Sequence, residues 1–319
     1  MKKKLICILL SLTFLTGCSK SSDVLLPYSE TENTVPYDNN IGTEVSDFFA
    51  DDLTIIPDKL NHMQDSAITA TSALIVNVTD DEVLYANNVY EKMYPASLTK
   101  LITALVVLKE ADLSDIVTIS YNASHITENG AKLCGFKEGD KISVEALLNC
   151  LLIYSGNDAG IALAEHIGGT EKNFAKKLNE MAKRIGAVHS NFVNSHGLHD
   201  DNHYTTAYDL YLIFNELLKY DKFLSIINKE SYTATYTSAE GEQITKEFST
   251  TNRYLKGTEN APDGVTVIGG KTGTTSKAGS CLILYSKDNN GKAYISLILK
   301  ADSGNSLFTQ MTHLLEKIK

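Results

Sequence analysis

The chain has no tryptophan and only five prolines in 319 residues, and it is short of positive charge. Basic residues number 29 against 39 acidic, a formal net charge of −10. That balance argues against a nucleic-acid partner, which requires a basic surface. Cysteine is sparse at five, and beyond Cys7 and Cys18 only Cys134, Cys150 and Cys281 remain. Three is odd, so a complete disulfide framework is excluded. Cys150 within Leu148-Asn149-Cys150-Leu151-Leu152, and Cys281 before Leu282-Ile283, read as small buried residues. Metal-ligand spacing is lacking too. His196, His199 and His203 cluster, but in a turn-rich stretch without the intervening glutamate of a zinc helix. No metal or cofactor is expected.

A long hydrophobic run is missing at the N-terminus as well. Lys2, Lys3 and Lys4 precede an apolar stretch from Leu5 to Leu15, well under the roughly 20 residues that span a bilayer. Charged start and short apolar run are the pattern of an export signal over 1–17. The run ends in Leu15-Thr16-Gly17-Cys18, which resembles the lipobox of bacterial lipoproteins. By that resemblance Cys18 would carry a diacylglyceryl group and hold the protein to the outer face of the cell membrane. The stretch 18–62 reads as an acidic flexible tether, with nine acidic residues against two lysines between Ser19 and Lys59. Phe48, Phe49, Ile55 and Ile56 are its candidates for local docking. Residues 63–319 are long enough to bury one sizeable core.

Element signals then alternate. Ala73–Val78 and Val83–Ala86 read as strands around Asp80-Asp81, and Val117–Ser120 as a short strand. A helix runs from Leu98 to about Lys109, and another from Val144 to Ile153. Asp158 is placed to cap a helix that stops at Gly168-Gly169, and Thr206 opens one with Asp209 in the box position. The last third is strand-rich: Ser231–Thr237 with Ile244–Phe248, then Val265–Ile268, then Cys281–Ser286 and Ala293–Leu299 around an Asn/Gly turn. Leu307–Ile318 closes as a helix. This order predicts an α/β (α+β) fold in which one antiparallel sheet takes strands from both ends of the chain. Helices flank it, and an all-helical subdomain fills the middle.

Three motifs carry chemistry. Ser97-Leu98-Thr99-Lys100 is the sole Ser-x-x-Lys of the sequence. It puts a hydroxyl and an amine on one face at a helix start, where free backbone N–H groups favour negative charge. Apolar Leu98, Leu101 and Ile102 surround Lys100, and a desolvated lysine acts as a base. Ser155-Gly156-Asn157 offers a hydroxyl relay and an amide. The same tripeptide also suits a helix C-cap, and Ser303-Gly304-Asn305 repeats it as a turn and cap. Lys271-Thr272-Gly273-Thr274, preceded by Gly269-Gly270, supplies a cation, a hydroxyl and a glycine strand edge that admits another backbone.

In this order the motifs resemble those of penicillin-binding proteins and serine β-lactamases. Two further stretches, Phe192 to Leu198 with Asn202 to Leu210, and Lys277 to Leu282, are similar to the D-alanyl-D-alanine carboxypeptidases of low molecular mass. The resemblance covers about 70–319 and implies a β-lactamase/transpeptidase-like fold. It implies that Ser97 attacks a peptidoglycan stem peptide ending in D-Ala-D-Ala, Lys100 takes its proton, and Ser155 passes it to departing D-alanine. Asn157 and Lys271 complete the catalytic set. Thr272, Gly273 and Thr274 bind substrate, with the N–H groups of Ser97 and Thr274 as oxyanion hole. β-Lactams would acylate Ser97. The chain departs from the pattern in having no arginine after Arg253, which leaves Lys277 or Lys300 as holders of the substrate carboxylate. Rival readings are a D,D-endopeptidase cutting crosslinks, a β-lactamase, and a wall-binding or β-lactam-sensing module. The β-lactamase is opposed by the lack of any glutamate between Glu180 and Glu216.

Overall fold

The computed structural model describes residues 54–318. The export signal, Cys18 and the tether up to residue 53 lie outside the described residues. Strands β1 (Ser72–Asn77) and β2 (Glu82–Asn87) form the first hairpin. β3 (Ile116–Thr118) and β4 (Lys141–Ser143) are short, and β5 (Ser231–Thr237) and β6 (Gln243–Ser249) make a second hairpin. β7 (Val265–Thr275), β8 (Gly279–Asp288) and β9 (Ala293–Ala301) close the strand set. The helices are α1 (Thr99–Glu110), α2 (Tyr121–Ser124), α3 (Val144–Asn149) and α4 (Asn157–Gly168). α5 (Glu171–Arg184), α6 (Ala207–Leu218), α7 (Asp221–Ile227) and α8 (Gly304–Leu315) follow.

The main sheet runs β2-β1-β9-β8-β7, all antiparallel. It draws its strands from both ends of the chain, as the element order predicts. Period-2 alternation divides its side chains between two cores. Leu74, Val76, Ile283 and Leu297 face the larger core, which includes α1, α4 and α6. Ala73, Ile75, Leu284 and Ile298 face a smaller core covered by α8. Both faces are therefore apolar, and β1 is buried at every position. Helix α1 is buried from Thr99 through Val107, which fits a helix apolar on all sides.

The middle of the chain is not all-helical. β3, β4, β5 and β6 form a second sheet in that order. β3 overlaps the short strand expected at Val117–Ser120, and the β5–β6 hairpin is as expected; β4, three residues long, carries no readable alternation. Residues 54–62, which composition assigns to the tether, are packed onto the domain. Ile56 is 2% exposed, Tyr90 donates to the Ile56 carbonyl at 2.7 Å, and the Asn61 side chain accepts from the Val89 amide at 2.7 Å. Ile56 docks as expected while Ile55 stays exposed, and Asn61 is an anchor that acidic composition masked. Asp158 does not cap α4 as expected; Gly156 holds that position. Its carboxylate instead accepts from the backbone of Cys134 and Gly135 at 3.0 and 2.8 Å.

Candidate active site

Pro95 ends the chain's approach, and Ala96–Leu98 form a 3₁₀ turn that feeds α1. Ala96 is held at φ +47°, a left-handed conformation unusual for alanine. The turn leaves Ser97 half-exposed on a cleft of about 330 Å³. One turn on, Lys100 has no exposed surface. Its Nζ donates to Ser97 Oγ at 3.0 Å, Asn157 Oδ1 at 2.7 Å and the His196 carbonyl at 2.6 Å. Burial lowers the Lys100 pKa to about 7; Asp158 and Cys134 pull the other way, and Lys132 adds to the fall. The amine is thus partly unprotonated at neutral pH, within reach of the Ser97 hydroxyl.

The second motif reaches the cleft through an irregular helix end. α3 runs into a π-helical turn over Cys150–Tyr154, and Ser155 follows at φ +74°. Its hydroxyl accepts from Lys271 Nζ at 2.9 Å. Lys271, on β7, is 1% exposed and also donates to the Thr272 carbonyl at 2.9 Å. Burial, with Lys100 and Lys132 nearby, pushes its pKa well below the ordinary lysine value. Thr272 Oγ1 donates to Thr251 Oγ1 at 2.6 Å.

β7 is an edge strand, so one side of its backbone is unpaired within the sheet and available to a peptide. Gly273 faces the nucleophile turn. A Cβ there would lie 3.0 Å from the Ser97 nitrogen and 3.1 Å from the Leu98 nitrogen, so any larger residue would push the Ser97 turn away by a few tenths of an ångström. Thr274 lines the same cleft. All eight expected site residues of the three motifs therefore converge: Ser97, Lys100, Ser155, Asn157, Lys271, Thr272, Gly273 and Thr274. Cys18 lies outside the described residues.

The expectation for Lys277 and Lys300 is corrected. They line a separate pocket with Lys92 and Tyr94, because the strand turns away after Thr275. Arg253 lines the cleft instead. Its guanidinium is placed by Glu259 at 3.2 Å, by Asn305 Oδ1 at 2.9 Å and by the Phe308 ring. The missed signal was Asn252-Arg253, read only as the last arginine. Ser303 caps α8 as expected by accepting from the Ser306 amide, and its neighbour Asn305 steadies Arg253.

The histidines are committed elsewhere. His203 Nε2 meets Thr99 Oγ1 at 2.7 Å, and its Nδ1 accepts from the Val193 amide at 3.1 Å. Burial drops its pKa to about 3. His196 pairs with Glu171 at 3.2 Å. Burial opposes ionisation of Glu171, but His196 and the Ser195 amide and hydroxyl hold its pKa below the ordinary value. This network fixes the His196 carbonyl on Lys100.

A profile of the D-alanyl-D-alanine carboxypeptidase family matches residues 59–303. The chain is 34% identical over 254 residues to D-alanyl-D-alanine carboxypeptidase DacF of Bacillus subtilis, covering 77% of this chain and 61% of that protein. It is 30% identical over 249 residues to DacD of Escherichia coli, covering 75% and 60%. The chain thus spans about three fifths of the length of these curated relatives. Among solved structures, a Streptomyces DD-transpeptidase superposes with a TM-score of 0.73 at 27% identity, covering 80% of this chain and 98% of that one. On the matched span, the three motifs and the cleft they share, the chain belongs to the D-alanyl-D-alanine carboxypeptidase family.

Proposed function

We propose that the protein is a serine D-alanyl-D-alanine carboxypeptidase acting on peptidoglycan stem peptides. One observation carries the reading: a lysine with no exposed surface, its Nζ 3.0 Å from the hydroxyl of a serine on an open cleft. Ser97 Oγ attacks the carbonyl between the two D-alanines while its proton passes to neutral Lys100. The oxyanion is held by the backbone N–H groups of Ser97 and Thr274, each such donor worth roughly 2.7–4 kcal/mol of barrier. Ser155, kept polarised by Lys271, hands a proton to the leaving amine. Asn157 orients Lys100 and the substrate. Water then releases the acyl-enzyme.

Thr272 and Arg253 receive the terminal carboxylate, with Gly273 and Thr274 pairing to the peptide backbone. Arg253 offers the planar fork that suits a carboxylate. Its place supports removal of a terminal residue over cleavage of crosslinks. The Asn194–His203 stretch borders the cleft where a β-lactamase would need a deacylating glutamate. Glu171, the carboxylate that does meet this stretch, is tied to Ser195 and His196.

The reading extends to the ends of the chain. Residues 1–17 act as the export signal, Cys18 carries the lipid, and an acidic tether joins it to the catalytic domain outside the cytoplasm. The test is intact-mass measurement after penicillin, with peptide mapping, alongside D-alanine release from a D-Ala-D-Ala peptide. An adduct on Ser97 and release abolished by Ser97→Ala are expected. Unchanged release by that variant ends the reading, and rapid multiple turnover of a chromogenic cephalosporin replaces it with a β-lactamase.

A further inference from the structure

The loop between β3 and β4 brings a third lysine to the cleft. Lys132 lines it beside Gly130, Ser155 and Asn157. Its backbone is fixed, because the Lys132 carbonyl accepts from the Asn157 amide at 2.7 Å. Its ammonium lies 4.1 Å from the centroid of the Tyr154 ring, a cation–π seat. Tyr154 is braced in turn by Phe248, with centroids 5.1 Å apart. The loop beyond is anchored by the Asp158 carboxylate on the Cys134 and Gly135 amides, and by Lys246 donating to the Cys134 carbonyl. Lys132 is therefore presented by a built wall rather than a free surface side chain.

Its charge is unmatched. Among the described residues no aspartate or glutamate is ion-paired with Lys132. Burial and the nearby Lys256 both disfavour its charged form, and it bears in turn on Lys100 and Lys271. A half-buried cation beside other cations is a cost unless an anion arrives. The pocket at Lys92, Lys277 and Lys300 differs, since Glu91 and Asp201 already stand in it.

The terminal carboxylate of a D-Ala-D-Ala peptide has its own partners, Arg253 and Thr272. Lys132 leaves room for a second one. A peptide laid along the β7 edge faces the opposite wall, where Asn157 and Lys132 are joined through their backbones. We propose that Lys132 is a specificity-determining subsite for a carboxylate on the residue that precedes D-Ala-D-Ala in the stem peptide. The inference rests on the carboxypeptidase reading and narrows its substrate class to stem peptides bearing that acidic group.

The experiment compares two peptides that differ only there. One carries diaminopimelate ahead of D-Ala-D-Ala, with its side-chain amine acetylated and its side-chain carboxylate free; the other carries side-chain-acetylated lysine, which lacks only that carboxylate. The ratio of kcat/KM values for D-alanine release, acidic over neutral, is measured in the wild type, Lys132→Gln and Lys132→Arg. The wild type should prefer the acidic peptide. Lys132→Gln should cut the ratio about tenfold, and Lys132→Arg should keep most of it. An unchanged ratio in Lys132→Gln overturns the subsite, including the case where both peptides slow equally through the terminal carboxylate or the field on Lys100. Equal rates on both peptides in the wild type overturn it too. If the wild type releases D-alanine from neither peptide, the carboxypeptidase reading fails and the subsite with it.

Discussion

Acylation of Ser97 by a β-lactam should rise with pH through about 7 and then level. The cause is the state of Lys100. Its ammonium would sit out of water among three acceptors, Ser97 Oγ, Asn157 Oδ1 and the His196 carbonyl. Those bonds replace only part of its hydration, and burial takes the pKa from 10.5 to about 7. A drop of that size is worth about 5 kcal/mol in favour of the neutral amine. At pH 7 about half of the molecules then hold a usable base, against about one in three thousand for an unperturbed lysine. At pH 5.5 the usable fraction falls to about 3%, so the rate should be roughly fifteenfold lower than at pH 7. By pH 8.5 the rate is about double its value at pH 7 and nearly level. The assay is the second-order rate constant for labelled penicillin across pH 5–9. Lys100→Arg, which stays charged, should lose about 10²–10⁴ of the rate. A flat profile, a break near 10, or a rate that falls as pH rises from 6 would refute neutral Lys100 as the base.

Stability should carry the same signature. Lys100 is lowered in the folded state, so between pH 7 and about 10 the unfolded chain binds more protons and stability rises with pH. Against Lys100→Met, the wild type should therefore gain about 1 kcal/mol per pH unit over that window in urea unfolding; a constant difference would contradict the burial argument. Gly273→Ala should slow penicillin labelling with the circular dichroism spectrum unchanged, because the new Cβ meets the backbone of the Ser97 turn and shifts it by a few tenths of an ångström. Unslowed labelling of that variant would mean the β7 edge is not held against the nucleophile. Arg253→Gln should cut kcat/KM about ten- to hundredfold on a free-carboxylate peptide, and less on its carboxamide. Equal losses on the two would remove Arg253 from carboxylate recognition.

The parts of the fold legible in sequence are those where local pattern and tertiary role agree. β1, β8 and β9 announce themselves through apolar runs buried on both faces, Ala73–Val76, Cys281–Leu284 and Leu297–Leu299. In the second sheet the strand at β3 and the β5–β6 hairpin are legible, but β4 is too short for a period and the joining of the four strands is fixed by partners distant in sequence. Among the site residues, spacing placed Ser97 with Lys100, whereas only the resemblance joined Lys271 to Ser155. Lys132 left no signal at all. A lysine between alanine and leucine in a polar loop looks solvated, and its seat on Tyr154 is a product of folding. Arg253 was passed over for a related reason: its neighbours Glu259 and Asn305 come from a following loop and from α8.

The proposed nucleophile, Ser97, stands near two of the five non-glycine residues that have positive φ among the described residues. Ala96 and Ser155, each beside or within a catalytic motif, both have positive φ. Such conformations cost of order 1–3 kcal/mol apiece and persist only when neighbours over-determine them. At Ala96 the neighbours are identifiable. Thr99 Oγ1 donates to its carbonyl at 2.8 Å and meets His203 at 2.7 Å, and Gly197, at φ +87°, passes so close that a Cβ would fall 1.9 Å from the same carbonyl. Gly197 follows His196, whose carbonyl holds Lys100. One short stretch thus enforces two things: the strained turn that lifts Ser97 into the cleft, and the acceptor that fixes its base. The Ser97–Lys100 geometry is therefore a property of two chain segments about a hundred residues apart. A Ser-x-x-Lys helix without the His196-Gly197 stretch would keep the spacing, but its lysine would be solvated, charged and unable to take a proton.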